Sequence, residues 1–248
     1  MATFVLVHGG WGGGWEWRSV ADRLRAAGHD VHTPTLTGLG DRAHLATRDV
    51  GLATHVRDVV ATIVTLDLGE VVLAGQSYGG MVVTGVVDRI PERIRRVVYL
   101  DAFVPTDGVS CNALCGPRWT ARIRELADAE GDGWLVPMPF SGTMGLPDDV
   151  AAWYVPRLVS QPLATLDHPA ELSGRGDEVP RTYVRFLEQE GQEQDDPLRG
   201  SAAAARAAGW SYREEVAPHD LHVSNPRRMA LILDEVAGED SGASPLRA

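Results

Sequence analysis

Val72-Leu73-Ala74-Gly75-Gln76-Ser77-Tyr78-Gly79-Gly80 is the stretch that decides the architecture. An apolar run leads directly into Gly-x-Ser-x-Gly, and an amphipathic run, Tyr78–Arg89, follows at once. That order predicts a strand, a sharp turn and a helix, with Ser77 at the apex. A serine in such a turn has strained dihedrals, so the residues two positions either side must lack side chains, and Gly75 and Gly79 meet that demand. Gly80 and Gly85 would let the helix lie close to the sheet. The Ser77 hydroxyl would then stand above the carboxyl edge of the sheet, at the positive end of the helix dipole. The pattern alone is weak in a glycine-rich chain, where a tight turn with an incidental serine also fits; the flanking strand and helix favour a nucleophile.

Outward from this turn, apolar runs alternate with amphipathic ones. Strands are predicted at Phe4–His8, Asp30–Leu36, Glu70–Ala74, Arg96–Phe103, Arg181–Leu187 and Trp210–Val216. Helices are predicted at Glu16–Ala27, Thr54–Leu68 (with Val56, Val60, Ile63 and Val64 inward), Tyr78–Arg89, Leu198–Gly209 and Asn225–Val236. The expected class is α/β, a mostly parallel sheet with helices on both faces. The rhythm breaks after Pro105. From there to about Gly176 the chain is rich in Pro, Gly and Trp, with helical pieces at Arg118–Ala129 and Asp148–Leu158. An unstructured loop of that length would be unusual. The expectation is one domain with a core of residues 1–104 and 177–248 and a helical cap insertion of residues 105–176 over the strand ends.

With 248 residues, 44% hydrophobic and 23% charged, the chain has the profile of one soluble globular domain. A formal net charge of -11 disfavours nucleic acid and anionic membrane as partners. All 23 basic residues are arginine, which excludes a Schiff-base lysine, a P-loop lysine and a Tyr/Lys dehydrogenase pair. Cys111 and Cys115 read as reduced thiols, with too few neighbouring ligands for a metal. The apolar start has no basic flank and reads as the first core strand, and no segment suits a membrane span, so a cytoplasmic protein is expected. The expected partner is a small-molecule substrate, and a homodimer is compatible with the composition. No metal or cofactor is called for.

The first strand runs into His8-Gly9-Gly10-Trp11-Gly12-Gly13-Gly14-Trp15. A His-Gly loop at this place can aim the Gly10 amide at a reacting carbonyl, and the residue after the nucleophile, Tyr78, supplies a second amide. A dinucleotide loop fits badly, because Trp15 stands where the last glycine is needed and the next strand lacks an acid at its tip. His8 reads as a residue that ties the loop down. For a base, chain order points past the last strand to Ala217-Pro218-His219-Asp220-Leu221-His222, and spacing alone leaves both His219 and His222 open.

Several of these stretches resemble the α/β-hydrolases, in the branch of plant methylesterases and hydroxynitrile lyases with their bacterial relatives. They are Phe4–Gly10, Gly13–Trp17, Ala26–Val31, Gly75–Met81, Val97–Pro105 and the closing His219–Pro226. The resemblance spans nearly the whole chain and is weak between residues 105 and 176. It implies an α/β-hydrolase fold, and it selects His219 over His222, because a proline follows the family's catalytic histidine at this distance. The lyases carry Thr after the first-strand histidine and Lys after the catalytic one; Gly9 and Asp220 stand here, so the resemblance implies ester hydrolysis.

The acid departs from the family pattern. The family places an Asp after the strand that follows the cap, and Gln189 aligns there, between Glu188 and Glu190. Haloalkane dehalogenases carry the acid at the end of the preceding strand, where this chain has Asp101. Asp101 is the first candidate and Glu188 the alternative, while Asp101 as a mere loop-tying residue, or a site without an acid, stays open. The expectation is a serine hydrolase that cleaves a carboxylic ester, thioester or lactone through an acyl-enzyme. Ser77, His219 and Asp101 would form the triad and Gly10 and Tyr78 the oxyanion hole. Gly9, Trp11, Phe103, Trp134 and Trp153 would line a pocket for a small aromatic or apolar substrate. Trp15, Trp119 and Phe140 belong to the same aromatic set. Two other readings stand beside it: a lyase, cyclase or decarboxylase on the same fold, for example tailoring a polyketide, or a ligand-binding protein with a degraded triad. The Ala/Arg-rich, lysine-free make-up fits a GC-rich bacterial source.

Overall fold

A computed structural model describes residues 1–187 and 196–239. Its elements in chain order are β1 (Thr3–Val7), α1 (Arg18–Ala26), β2 (Asp30–His32), α2 (Leu52–Thr65), β3 (Val71–Ser77), α3 (Gly79–Arg89) and β4 (Ile94–Ala102). There follow α4 (Cys111–Cys115), α5 (Pro117–Glu130), β5 (Leu135–Val136), α6 (Asp148–Tyr154), β6 (Gln161–Pro162) and α7 (Ala164–Asp167). The chain ends with β7 (Arg181–Phe186), α8 (Arg199–Ala207), β8 (Ser211–Glu215), α9 (Leu221–Ser224) and α10 (Pro226–Gly238).

Six strands form one parallel sheet in the order β2-β1-β3-β4-β7-β8. The period-two side-chain alternation of the strands divides the core between two faces. Val5, Val7, Leu73, Val97 and Tyr99 face α2 and α3, whereas Phe4, Leu6, Val72, Val98 and Leu100 face α1 and α10. Residues 105–176 add no strand to this sheet; they carry α4 to α7 and a two-stranded antiparallel ribbon, β5 with β6.

Two expectations are corrected. β2 is three residues long, not seven, because the chain leaves the sheet at Thr33 to pack on Gly14; a Cβ on that glycine would lie 2.1 Å from the Thr33 carbonyl oxygen. Helix α2 begins at Leu52 and buries Val56, Val59 and Ile63, while Val60 is half-buried and Val64 is 48% exposed. The helix packs closely on α3, where a Cβ on Gly85 would stand 2.7 Å from Val56 Cγ2. Glu188, Gln189 and the tail beyond Glu239 lie outside the described residues.

Candidate active site

Ser77 ends β3 with φ +53, a left-handed backbone that a non-glycine residue rarely adopts. The turn closes so tightly that a Cβ on Gly75 would meet the Gly79 carbonyl oxygen at 2.7 Å, and one on Gly79 would meet the Val7 and His8 carbonyls at 2.8 Å. Helix α3 starts at once, with Tyr78 before its first turn. On the neighbouring strand Asp101 has the same hand, φ +46. The β3–β4 register slips there: Gln76 pairs with Leu100 and Ser77 with Ala102, so Asp101 bulges out of the ladder.

Asp101 is 2% exposed and its carboxylate is fully engaged. Oδ2 accepts from His219 Nδ1 at 2.6 Å. Oδ1 accepts from the Phe186 amide at 3.3 Å and from the Arg185 guanidinium, whose other nitrogen bonds Asp196. Arg185 is a partner that sequence reasoning missed. Its signal was an arginine in the middle of a buried parallel strand, a charge that must find a partner. For His219, burial acts to lower the pKa, but the hydrogen bond and charge of Asp101 outweigh it and raise the imidazole to about 9. The second ring nitrogen, Nε2, is 3.1 Å from the side-chain amide nitrogen of Gln76, which also donates to the His219 carbonyl at 3.3 Å. In the neutral imidazole, with Nδ1–H given to Asp101, Nε2 carries the lone pair that a base requires, and that form grows as pH rises toward 9. Its hydrogen bond is thus with the residue before Ser77 rather than with Ser77.

Across the strand ends lies the first loop. His8 Nε2 accepts from the Leu36 amide at 3.1 Å and Nδ1 donates to the Gly9 carbonyl at 2.8 Å, a tying role. Gly9 passes so close to the elbow that a Cβ there would be 2.3 Å from Gln76 Oε1 and 3.3 Å from Ser77 Cβ. Gly10 passes Tyr78, with a Cβ at Gly10 falling 3.8 Å from Tyr78 Cβ. The Tyr78 hydroxyl donates to His55 Nδ1 at 2.9 Å, while His55 Nε2 donates to the Thr37 carbonyl at 2.8 Å. Burial lowers His55 to about 4, which keeps it a neutral acceptor.

Behind the loop sits a second buried cluster that the sequence reading left out. Glu16 Oε1 accepts from the Gly13 amide and the Tyr154 hydroxyl, both at 3.3 Å, and Oε2 lies 3.2 Å from His222 Nε2. Burial pushes Glu16 up to about 8 and His222 down to about 4, so at neutral pH protonated Glu16 donates to neutral His222. His222 therefore belongs to this cluster, not to the Ser77 edge.

The aromatic candidates separate. Trp11 Nε1 donates to the Val136 carbonyl at 2.9 Å, and its ring meets Trp119 and Phe140 edge-on, at 6.5 and 6.0 Å between centroids. Phe103 is buried and its amide donates to the Ser77 carbonyl at 3.1 Å. Trp134 lies against Arg48, and Trp153, 44% exposed, against Trp15 and Arg157. Among the described residues, no group of three His, Cys, Asp or Glu side chains could hold a metal ion, and no helix is long and apolar enough to cross a membrane.

This left-handed serine between a parallel strand and a helix is the geometry of a known family, whose model, described as the alpha/beta hydrolase family, matches residues 4–230. The chain belongs to the alpha/beta hydrolase family. Among curated relatives, a carbendazim hydrolyzing esterase of Nocardioides sp. is 40% identical over 239 residues, covering 93% of this hydrolase and 97% of the relative. Salicylic acid-binding protein 2 of Nicotiana tabacum is 34% identical over 103 residues, 41% of this chain and 40% of its own. Among solved structures, an extracellular alpha/beta-hydrolase from a Paenibacillus species superposes with a TM-score of 0.84 at 27% identity, covering 97% of this chain and 100% of that one.

Proposed function

We propose that this alpha/beta hydrolase is a serine carboxylic-ester hydrolase. One observation carries the reading: Ser77 in its strained turn stands one strand away from an Asp101–His219 pair joined at 2.6 Å. His219 takes the Ser77 proton as Oγ attacks the ester carbonyl. The amides of Gly10 and Tyr78 receive the oxyanion, His219 returns the proton to the departing alcohol, and water then releases the acyl group by the same steps. For this route His219 Nε2 exchanges Gln76 for the Ser77 hydroxyl when substrate binds; catalytic hydrogen bonds commonly tighten only in that complex. Asp101 serves as the acid in place of a residue after β7, with Arg185 holding its other oxygen. Residues 105–176 act as the cap, and Trp11, Trp119 and Phe140 form the apolar wall for a small, flat substrate. The relative named as a carbendazim hydrolyzing esterase makes carbendazim the first substrate to try.

The test is turnover of p-nitrophenyl acetate and of carbendazim, together with covalent labelling by a fluorophosphonate. Wild-type protein is expected to hydrolyse the acetate and to be labelled at Ser77, and Ser77→Ala to do neither. Undiminished hydrolysis by Ser77→Ala would overturn the assignment. Labelling without ester turnover would favour the non-hydrolytic reading, in which the same serine site serves another reaction.

A further inference from the structure

Trp11 follows the candidate oxyanion residue Gly10 and has φ +61. A bulky side chain at such a φ is costly and persists only where its surroundings over-determine it. Among the described residues, the hydrogen-bond partners of Trp11 come from residues 105–176. Its amide donates to Gln161 Oε1 at 2.8 Å, its carbonyl accepts from the Val159 amide at 2.9 Å, and its indole donates to the Val136 carbonyl.

Gln161 is unusual among these partners. It is a fully buried polar side chain with both ends satisfied, since Nε2 donates to Thr165 Oγ1 at 2.7 Å and that hydroxyl donates to the Pro162 carbonyl at 2.7 Å. Its Oε1 also sits against the oxyanion loop itself, 2.9 Å from where a Cβ on Gly10 would be. Thr165 also bears on the side chain of Tyr78, the residue of the second donor. Burial raises the Tyr78 phenol well above its ordinary pKa, and the Thr165 hydroxyl beside it acts against that rise. The buried amide of Gln161, held by the Thr165 hydroxyl, therefore bears directly on the Gly10–Trp11 backbone.

We infer that Gln161, backed by Thr165, is a positioning residue for the oxyanion hole: it fixes the Trp11 amide plane and so the direction in which the preceding Gly10 amide points. The inference rests on the reading of Gly10 and Tyr78 as oxyanion donors. Its physical basis is that donors must be aimed where charge develops in the transition state, and a small misplacement is expensive. The consequence is that the inter-strand segment, besides covering the site, sets catalytic geometry.

Gln161→Leu, Gln161→Glu and Thr165→Val are compared with wild type. The readouts are kcat and KM on p-nitrophenyl acetate per fluorophosphonate-titrated serine, inhibition by a trifluoromethyl ketone that forms a tetrahedral adduct, and the thermal midpoint. For Gln161→Leu, kcat per titrated serine is expected to fall about 10–100-fold with KM within about 3-fold, and ketone affinity to weaken by a similar factor. Gln161→Glu, which can still accept from the Trp11 amide, is expected to recover part of both. A merely structural role would lower the midpoint and the titratable fraction but leave kcat per serine and ketone affinity unchanged, and that result would overturn the inference. Should Gln161→Leu not fold, Thr165→Val decides, with a fall of about 3–10-fold expected in the same two readouts and no change overturning it. Wild-type protein that neither turns over the ester nor takes the label would instead bring down the esterase reading.

Discussion

Ser77, Asp101 and Trp11 share a left-handed backbone, at φ +53, +46 and +61, yet they are held in different ways. Ser77 and Asp101 are constrained by the sheet: the parallel ladder of β3 on β4 runs up to both, and its register slip makes the Asp101 bulge. Trp11 lies beyond the last residue of β1 and is held by contacts from a segment more than a hundred residues away. Strain of about 1–3 kcal/mol per position is thus offset locally at the strand ends and remotely at the loop. The Ser77 and Asp101 turns are built into the paired ends of β3 and β4. The loop at Trp11 depends on a segment that adds no strand to the sheet.

That contrast can be broken most sharply at the strand ends. Ser77→Ala and His219→Ala are expected to lower kcat/KM on p-nitrophenyl acetate by about 10⁴-fold or more while the thermal midpoint barely moves. Asp101→Asn is expected to cost about 10³–10⁴-fold at neutral pH. It also changes the pH profile. In the wild type His219, held up to about 9 by Asp101, gains the free base only as pH rises, so kcat/KM should climb toward pH 9. In Asp101→Asn the rising limb should move to lower pH, and a limb that stays near 9 would count against the pair.

A smaller effect is expected at Arg185, which opposes the rise of His219 and holds the far oxygen of Asp101. Arg185→Gln should move the rising limb to higher pH and lower kcat by about 10-fold, with Arg185→Lys intermediate, as measured by full pH profiles.

The smallest effect concerns stability. The Glu16 carboxyl is raised from 4.5 to about 8, with burial the main cause, Asp220 adding to the rise and His8, the Gly13 amide and Tyr154 opposing it. A folded-state pKa above the unfolded one means stability that is present at low pH and lost as pH rises through the folded value. His222, lowered to about 4, works in the opposite direction only below 6.5. Between pH 6.5 and 8, Glu16→Gln should therefore remove part of the fall in thermal stability, about 1–2 kcal/mol. The remaining fall, from His219 titrating toward 9, should persist. An unchanged slope would show that Glu16 is ionised throughout.

Much of this site was legible in order rather than in contact. Gly75, Ser77 and Gly79 define the elbow because only certain residue types tolerate that backbone, and a β-strand run with a following amphipathic run fixes what flanks it. Asp101 was legible as a position, the tip of the strand beside the nucleophile strand. Its contact with His219 was among the expectations, but its partners Arg185 and Phe186 were not legible, because they converge on it from β7. The inward face of α2 was misread for a related reason: Val56, Val59, Val60, Ile63 and Val64 satisfy two overlapping helical stripes, and packing on the core of α3 and the sheet chooses between them.

Residue chemistry and spacing by themselves determined the parallel sheet, the turn at Ser77, the tying role of His8 and the location of the base segment, since each follows from local backbone and burial demands. Tertiary structure alone decided that Arg185 and Phe186 hold the second oxygen of Asp101, that Glu16 with His222 forms a separate buried pair, and that Gln161 reaches Trp11. These are encounters between segments distant in the chain. They depend on register, helix rotation and packing, none of which leaves a periodic mark in the sequence.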